Sequence, residues 1–459
     1  MMSDLGFYIN YEKSNLIPST RVIYLGHLID SVEFKVYLPD EKIEKILKAC
    51  LDVITATSCG KLTIRNVAHL IGLFTSARNA VRLSALFFRF LNRDKVDALV
   101  KNNDNFDSKM SLSHEAQTEI KWWQENINIK NGKDIRPSKV SCYLETDASK
   151  SGWGATFEGV ETGGRWIEQE SRLHINILEI KAVYFALLSL CKDLHDTHLC
   201  IKSDNSSAVA YINNQGGSIL SLFNISKLIW LWCEERNIYV TAVHVLGKLN
   251  ITADYMSRHF SDSTEWKLHE KVFAKICHLY YEPDIDLFAT RLNKQVLSYV
   301  SWFPEPDAVA SDAFSICWSD FNPYIFPPFS MISRVLQKIQ DDQVRTAILI
   351  VPMWATQPWF PHLLDLLISV PKMLPNIQNL LRLVHNNQLH PINKNLFLVV
   401  CTVSGITSKT RGFQNTLLNS YVNLGEIQHQ SNRILFGTSG LFGVINGKSI
   451  PVTHLKVKF

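Results

Sequence analysis

Four carboxylates, Asp147, Glu179, Asp204 and Asp254, occur where the local sequence turns each of them toward the edge of one small sheet. Asp147 closes the extended run 140–146, and the residues from Ala148 to Gly152 read as a turn into a second strand beginning near Trp153. Asp204 closes a similar run, 199–203, where Asn205 and Ser206 offer N-cap side chains to a following helix. Glu179 opens a long helical pattern and shares a face with Ala182, Val183, Ala186 and Leu190, so it points at the sheet and not at water. Asp254 lies ten residues after His244, past a strand over 238–245 and a Gly-Lys-Leu-Asn loop, on a last helix that runs to about His259.

Convergence of these acids would serve one kind of chemistry. Phosphodiester hydrolysis requires a deprotonated water, neutralised phosphoryl oxygens and a stabilised leaving oxygen. Two Mg²⁺ ions about 3.5 to 4 Å apart supply all three, and such hard cations select carboxylate oxygen. Four clustered acids without cations would repel one another and raise their own pKa values, and bound metal reverses that cost. One such Asp alone reads as a solvated strand end. Four in order, each at a sheet edge, imply a metal-dependent nuclease.

The remaining composition bounds this reading. A chain of 459 residues with 46% hydrophobic content accommodates two to four domains with sizeable cores. Nine cysteines without a Cys-x-x-Cys pair suit free thiols in a reducing compartment, either cytoplasm or nucleus. No apolar run approaches the roughly 18 residues of a membrane span, and the first residues lack the zones of a signal peptide, so an intracellular protein without a membrane partner is expected. A formal charge of +4 is mild, so nucleic-acid contact would come from local patches.

The segments around the acids resemble the RNase H domain of retroelement polyproteins. The matching stretches are Leu144-Glu145-Thr146-Asp147-Ala148-Ser149, Asn176 to Ala182, Lys202-Ser203-Asp204-Asn205, and His244 to Arg258. The strand-strand-strand-helix-strand-helix-strand-helix order over about 136–262 agrees. The resemblance implies a mixed five-stranded sheet with helices. It implies Asp147, Glu179, Asp204 and Asp254 as ligands of two Mg²⁺ ions, with Mn²⁺ able to replace them, and His244 as a mobile histidine assisting proton transfer or product release. Asn176 falls where the family places a minor-groove contact to an RNA·DNA hybrid, and Ser149, Asn205 and Arg258 are the further substrate-binding candidates.

Before this domain, Gly6 to Ile9, Glu12 to Ser14 and Tyr24 to Leu28 alternate in strand fashion around Pro18. From Pro39 to Lys101 the pattern becomes helical. Ile43, Ile46, Leu47, Cys50 and Leu51 form one stripe, and Leu70, Leu73, Phe74 and Ala77 form another. Arg65, Arg78, Arg82, Arg89 and Arg93 lie along this part and read as a solvated face. Residues 1–38 are similar to the end of a reverse transcriptase palm, with Tyr24-Leu25-Gly26-His27 at its primer-grip hairpin, and 39–135 to thumb and connection helices. No Tyr-x-Asp-Asp occurs, and the single Asp341-Asp342 pair lies far downstream in a helical context. The chain is therefore expected not to polymerise by itself, although pairing with a polymerase-competent reverse transcriptase subunit would fit.

From 263 to 400, strands punctuated by prolines suggest an α/β unit, including Asp286 to Thr290, Asp312-Ala313-Phe314 with Trp318, Phe326-Pro327-Pro328-Phe329 and Ile348 to Pro352. Their order is similar to the adenine-methyltransferase-like domain that follows RNase H in DIRS-type retrotransposons. In active relatives an Asn or Asp before Pro-Pro-aromatic accepts from the target amine. Phe326 occupies that position, so methyl transfer is expected to be lost. Leu396 to Val403 reads as a strand or a buried helix, and the Ser, Asn and Gly content after Gly405 argues for weak packing, which makes 401–459 a poorly defined tail. The fold class expected is α/β multidomain. The activity expected is cleavage of RNA in a hybrid, and the alternative is a catalytically silent nucleic-acid-binding remnant.

Overall fold

The computed structural model describes residues 6, 8, 10, 17–136, 138–260, 265–386, 388–391, 396–420 and 439–457. The strand expected from Glu12 to Ser14 lies outside these residues, as do Phe7 and Ile9 of the first expected strand. The protein is a mixed α/β chain with several sheets. Two compact units are formed, Met1–Tyr143 with Leu194–His244 and Leu144–Asp193 with Val245–Phe459.

The described chain begins with an antiparallel meander, β1 (Arg21–Tyr24), β2 (His27–Asp30) and β3 (Lys35–Tyr37), to which β4 (Lys133–Asp134) adds a fourth strand. Tyr24 pairs with His27, so Leu25 and Gly26 are a two-residue turn and not part of one continuous strand. Both have positive φ, 48° and 75°, the requirement of a type I′ turn. Four helices follow: α1 (Asp40–Ser58), α2 (Ile64–Ala77), α3 (Arg89–Lys101) and α4 (His114–Asn126).

Helix α1 starts just after Pro39, with Asp40 and Glu41 in the first turn, where negative charge meets the helix dipole. It buries Ile43, Ile46, Cys50 and Val53, whereas Leu51 is 57% exposed. The expected stripe thus drifts by its last residue, because a 3.6-residue period carries the face from Cys50 to Val53. In α2, Thr63 and Asn66 form a reciprocal capping box, and Ile71 is buried where Leu73 is only half-buried. The five arginines read as a solvated face all have protein partners. Arg65 pairs with Asp107, Arg82 with Glu234 and Arg93 with Asp97, while Arg78 and Arg89 donate to the Asn214 carbonyl.

Next come β5 (Cys142–Ala148), β6 (Gly152–Phe157), β7 (Val160–Arg165), α5 (Glu168–Ser171), α6 (Ile175–Leu190), β8 (His198–Ser203), α7 (Ser206–Asn213), α8 (Leu220–Glu235), β9 (Tyr239–His244) and α9 (Ile251–Arg258). Strands β5, β6 and β7 are antiparallel, β8 and β9 are parallel, and the hydrogen-bonded order is β7-β6-β5-β8-β9, a mixed five-stranded sheet. Helices α5 and α8 are additions to the expected order.

The remaining elements are β10 (Trp266–Leu268), α10 (Glu270–Leu279), β11 (Ile285–Asp286), β12 (Val300–Ser301), β13 (Ala310–Ser311), β14 (Pro323–Ile325), α11 (Ile332–Asp341), β15 (Ala347–Pro352), α12 (Phe360–Leu366), β16 (Lys372–Met373), β17 (Leu381–Leu383), β18 (Leu398–Val403), α13 (Thr407–Thr416), β19 (Ser439–Ile445) and β20 (Lys448–His454). Seven strands form one sheet in the order β11-β14-β15-β18-β16-β20-β19. Every residue of β15 and β18 is buried, the pattern of central strands covered on both faces. The expectation of a weakly packed tail is corrected here. Strand β20 pairs with β16 and β19, and Phe442, Ile445, Ile450 and Val452 enter the core that holds Ile332, Leu336 and Leu349.

A buried ionic cluster joins this downstream segment to the β7–α6 region of the same unit. Arg291 places two nitrogens on the Glu170 carboxylate, at 2.8 and 3.2 Å, and Lys181 is 2.7 Å from it. Burial pushes the Glu170 carboxyl up, but hydrogen bonds and charge from Arg291 and Lys181 outweigh burial and hold it below its ordinary range.

Candidate metal centre

Asp147 lies near the end of β5 on the strand face of exposed Tyr143 and half-buried Glu145, yet it is itself 3% exposed, and Ser257 Oγ of α9 donates to its Oδ2 at 2.7 Å. Helix α6 begins at Ile175 after the N-cap His174, so Glu179 lies in its second turn instead of opening it, and is 5% exposed. The helix packs on β6, which keeps this carboxylate against the sheet. Asp204 follows the last residue of β8, and Asn205 caps α7 by accepting from Ala208 N at 2.9 Å. Asp147, Glu179 and Asp204 each offer a carboxylate oxygen, and these atoms all lie within 4.8 Å of one another.

This donor set fits a hard divalent cation. It consists of carboxylate oxygen alone, and two of the three acids are buried. Such a group of acids could bind metal.

Asp254 does not join the three. Its Oδ1 receives Arg258 Nε at 2.8 Å and a second guanidinium nitrogen at 2.7 Å, an i,i+4 pair on the partly exposed side of α9. Arg258 is therefore held by this acid on the surface. His244, the last residue of β9, is exposed, and its Nε2 donates to the Asp204 carbonyl oxygen at 2.9 Å. Asn176 is half-buried one turn before Glu179. Ser149 is buried and its hydroxyl donates to the Ser257 carbonyl at 2.7 Å while accepting from Gly152 N, which ties it to the β5–β6 turn and to α9.

Two supporting residues had escaped the sequence reading. Ser257 orients Asp147, and Asn250 donates from Nδ2 to the Thr146 carbonyl at 2.9 Å, which fixes the approach of α9 to β5. Their signal was spacing, since they lie three residues after and four before Asp254. Glycines make the docking possible. A Cβ at Gly154 would strike the Ala253 carbonyl and lie 2.5 Å from Ser257 N, and one at Gly163 would lie 2.7 Å from the Met256 carbonyl.

Downstream, a cleft of about 970 Å³ is lined by Trp266, Trp302, Phe303, Phe326, Phe329 and His390, with Tyr255 and His259 contributed by α9 and its C-terminal end. Phe326 directly follows β14, where the resemblance would require an amine acceptor. Glu305 also lines the cleft, accepting from Arg291 N at 2.6 Å, and burial pushes its carboxyl up to about 7. Trp302 of this lining is 61% exposed. Phe329 and Trp354 are half-buried against the cores and against each other, with ring centroids 5.2 Å apart.

No family model matches the chain. Over 162 residues, 33% of this chain, it is 26% identical to the "Putative enzymatic polyprotein" of Cassava vein mosaic virus. The aligned part covers 24% of that polyprotein, about a quarter of its length. Among solved structures, the foamy viral protease-reverse transcriptase in complex with RNA/DNA hybrid is 14% identical, with a TM-score of 0.23, over 50% of this chain and 30% of that one. The same protein in complex with dsDNA is also 14% identical, with a TM-score of 0.22, over 50% and 46%.

Proposed function

We propose that the protein hydrolyses the RNA strand of an RNA·DNA hybrid, as the RNase H portion of a retroelement polyprotein. The observation that carries this reading is the gathering of Asp147, Glu179 and Asp204 within 4.8 Å, each delivered by a different element around a mixed five-stranded sheet. The 26% identity to a viral enzymatic polyprotein points the same way. Two Mg²⁺ ions, when bound, would supply an activated water and neutralise the phosphoryl and leaving oxygens. Asp147, whose orientation Ser257 sets, would hold the metal together with Glu179 and Asp204. Asp254 would join them by releasing Arg258. His244, with Nε2 donating to the Asp204 carbonyl, leaves Nδ1 to exchange a proton during reaction or release. The half-buried Asn176 would make a minor-groove contact, where 2′-hydroxyls distinguish RNA from DNA.

A second reading, a silent nucleic-acid-binding remnant, is favoured by one observation, the engagement of Asp254 with Arg258. Incubating the protein with end-labelled hybrid and Mg²⁺, beside EDTA, duplex DNA and Asp147→Asn controls, decides between them. Hybrid-specific, metal-dependent cleavage that is lost in Asp147→Asn is the expected result. Binding of hybrid without any cleavage would leave the second reading standing.

A further inference from the structure

The cleft beside α9 has features that the proposed nuclease reaction does not use. Its walls are flat rings, and one of them, Trp302, is 61% exposed, with its neighbour Phe303 also exposed. Large exposed aromatics on the lining of a concave surface are unfavourable in water and mark a ligand. Polar groups are interleaved with the rings. Arg165 lies 4.4 Å over the ring of Phe260, and Asn293 and Glu305 provide hydrogen-bonding groups. Tyr255 stacks on His259 with centroids 4.1 Å apart, and Tyr255 is the residue directly after Asp254. The same helix therefore serves the acid-bearing region and the cleft.

Rings that stack, a guanidinium held against a ring and a few hydrogen-bonding groups suit a nucleobase on a phosphodiester chain better than a lipid or an aliphatic peptide. We propose that this cleft holds unpaired bases of single-stranded DNA. The choice of DNA rests on the hybrid-cleavage reading, because removing the RNA strand leaves the DNA strand unpaired. Stacking on Trp302 contributes most of the base-dependent affinity, and Glu305 and Asn293 receive the base edges.

The test is fluorescence anisotropy in EDTA with a labelled oligodeoxythymidylate of about a dozen nucleotides. It is run beside a tetrahydrofuran abasic chain of equal length and charge, and beside the matching RNA. The base-bearing DNA is expected to bind at least about tenfold more tightly than the abasic chain, and Trp302→Ala is expected to weaken it by about tenfold, in line with one base stack. Trp302 is exposed, so its removal leaves the fold intact. Trp302→Ala should also cleave a blunt hybrid at the wild-type rate, and Asp147→Asn should bind the single strand as wild type does. Equal binding of the abasic chain, unchanged affinity in Trp302→Ala, no measurable binding, or RNA binding tenfold more tightly than DNA each overturns the proposal. A protein that binds DNA in this base-dependent way without cleaving hybrid would defeat the nuclease reading alone.

Discussion

Replacing Asp147 with Asn is expected to make the metal-free protein more stable, an unusual outcome for a buried substitution. Asp147 and Glu179 are both nearly inaccessible, and their nearest ligand oxygens are no more than 4.8 Å apart. At an effective dielectric of about 20, two like charges at that separation repel by about 3.5 kcal/mol. Asp204 adds a smaller, partly solvated contribution. Against this, the hydrogen bond from Ser257 Oγ changes from charge-assisted to neutral, a loss of about 1 kcal/mol. The net expectation is a gain of about 2.5 kcal/mol for Asp147→Asn, measured by urea unfolding in EDTA. Mg²⁺ must reverse the order. At about 100 times its dissociation constant it adds about 2.7 kcal/mol to a protein that binds it only when folded, and it should add almost nothing to the variant. The reasoning fails if Asp147→Asn is less stable than wild type in EDTA, or if Mg²⁺ raises the stability of both proteins equally.

Four further outcomes follow from the structure. Arg291→Met leaves the buried Glu170 with Lys181 as its remaining cation and should cost about 3 kcal/mol in urea unfolding, and a cost under about 1 kcal/mol would show that the cluster is not holding the segment. Gly154→Ala forces α9 off β6, so a loss of about 1 to 3 kcal/mol should accompany a diminished Mg²⁺-induced shift in melting temperature, and an unchanged shift refutes the docking argument. Burial pushes the Asp286 carboxyl up to about 7, so its contribution to stability is complete below about pH 4 and is lost as pH rises toward 7; Asp286→Asn should flatten the decline by up to about 1.4 kcal/mol per pH unit, and an unaltered slope would sink this assignment. With labelled S-adenosylmethionine and adenine-containing DNA no methyl transfer is expected, because Phe326 offers a ring where the amine needs an acceptor, and any incorporation above background overturns that.

The three gathered acids were legible because each is fixed by short-range rules: the turn that closes the extended run of β5, the N-cap that ends β8, and the inward face of α6. Asp254 stands apart from the three because an Arg four residues later on a helix is a ready ion-pair partner, a competitor visible in the sequence. The C-terminal hairpin was misjudged for a similar reason. Counting Ser, Asn and Gly suggested weak packing, but Asn446-Gly447, with φ of 49° and 72°, is the type I′ turn that joins β19 to β20. What no local rule discloses is close approach. Gly154 and Gly163 look like weak points of strands until the backbone of α9 is found lying on them. The cleft is equally non-local, because its walls come from β6, β7, α9 and several separate downstream stretches.

These contacts bear on how the downstream segment must be tested. Deleting it would be the simplest way to ask whether it contributes to hybrid binding, but Glu170 would then lose Arg291, and Arg165 would lose the partner on its carbonyl oxygen. Both changes fall at the end of β7 and just before α6, the helix that carries Glu179. A truncated protein that failed to cleave hybrid would therefore report a disturbed acid cluster as readily as a missing binding surface. Point substitutions at exposed positions such as Trp302 avoid this, because they remove a surface group and leave the buried ion cluster in place. The downstream segment thus acts on the acid site in two separable ways, by bracing the helix that presents Glu179 and by offering a surface to the strand. Arg291→Met and Trp302→Ala separate them: the first should lower stability and cleavage together, and the second should lower single-strand affinity alone.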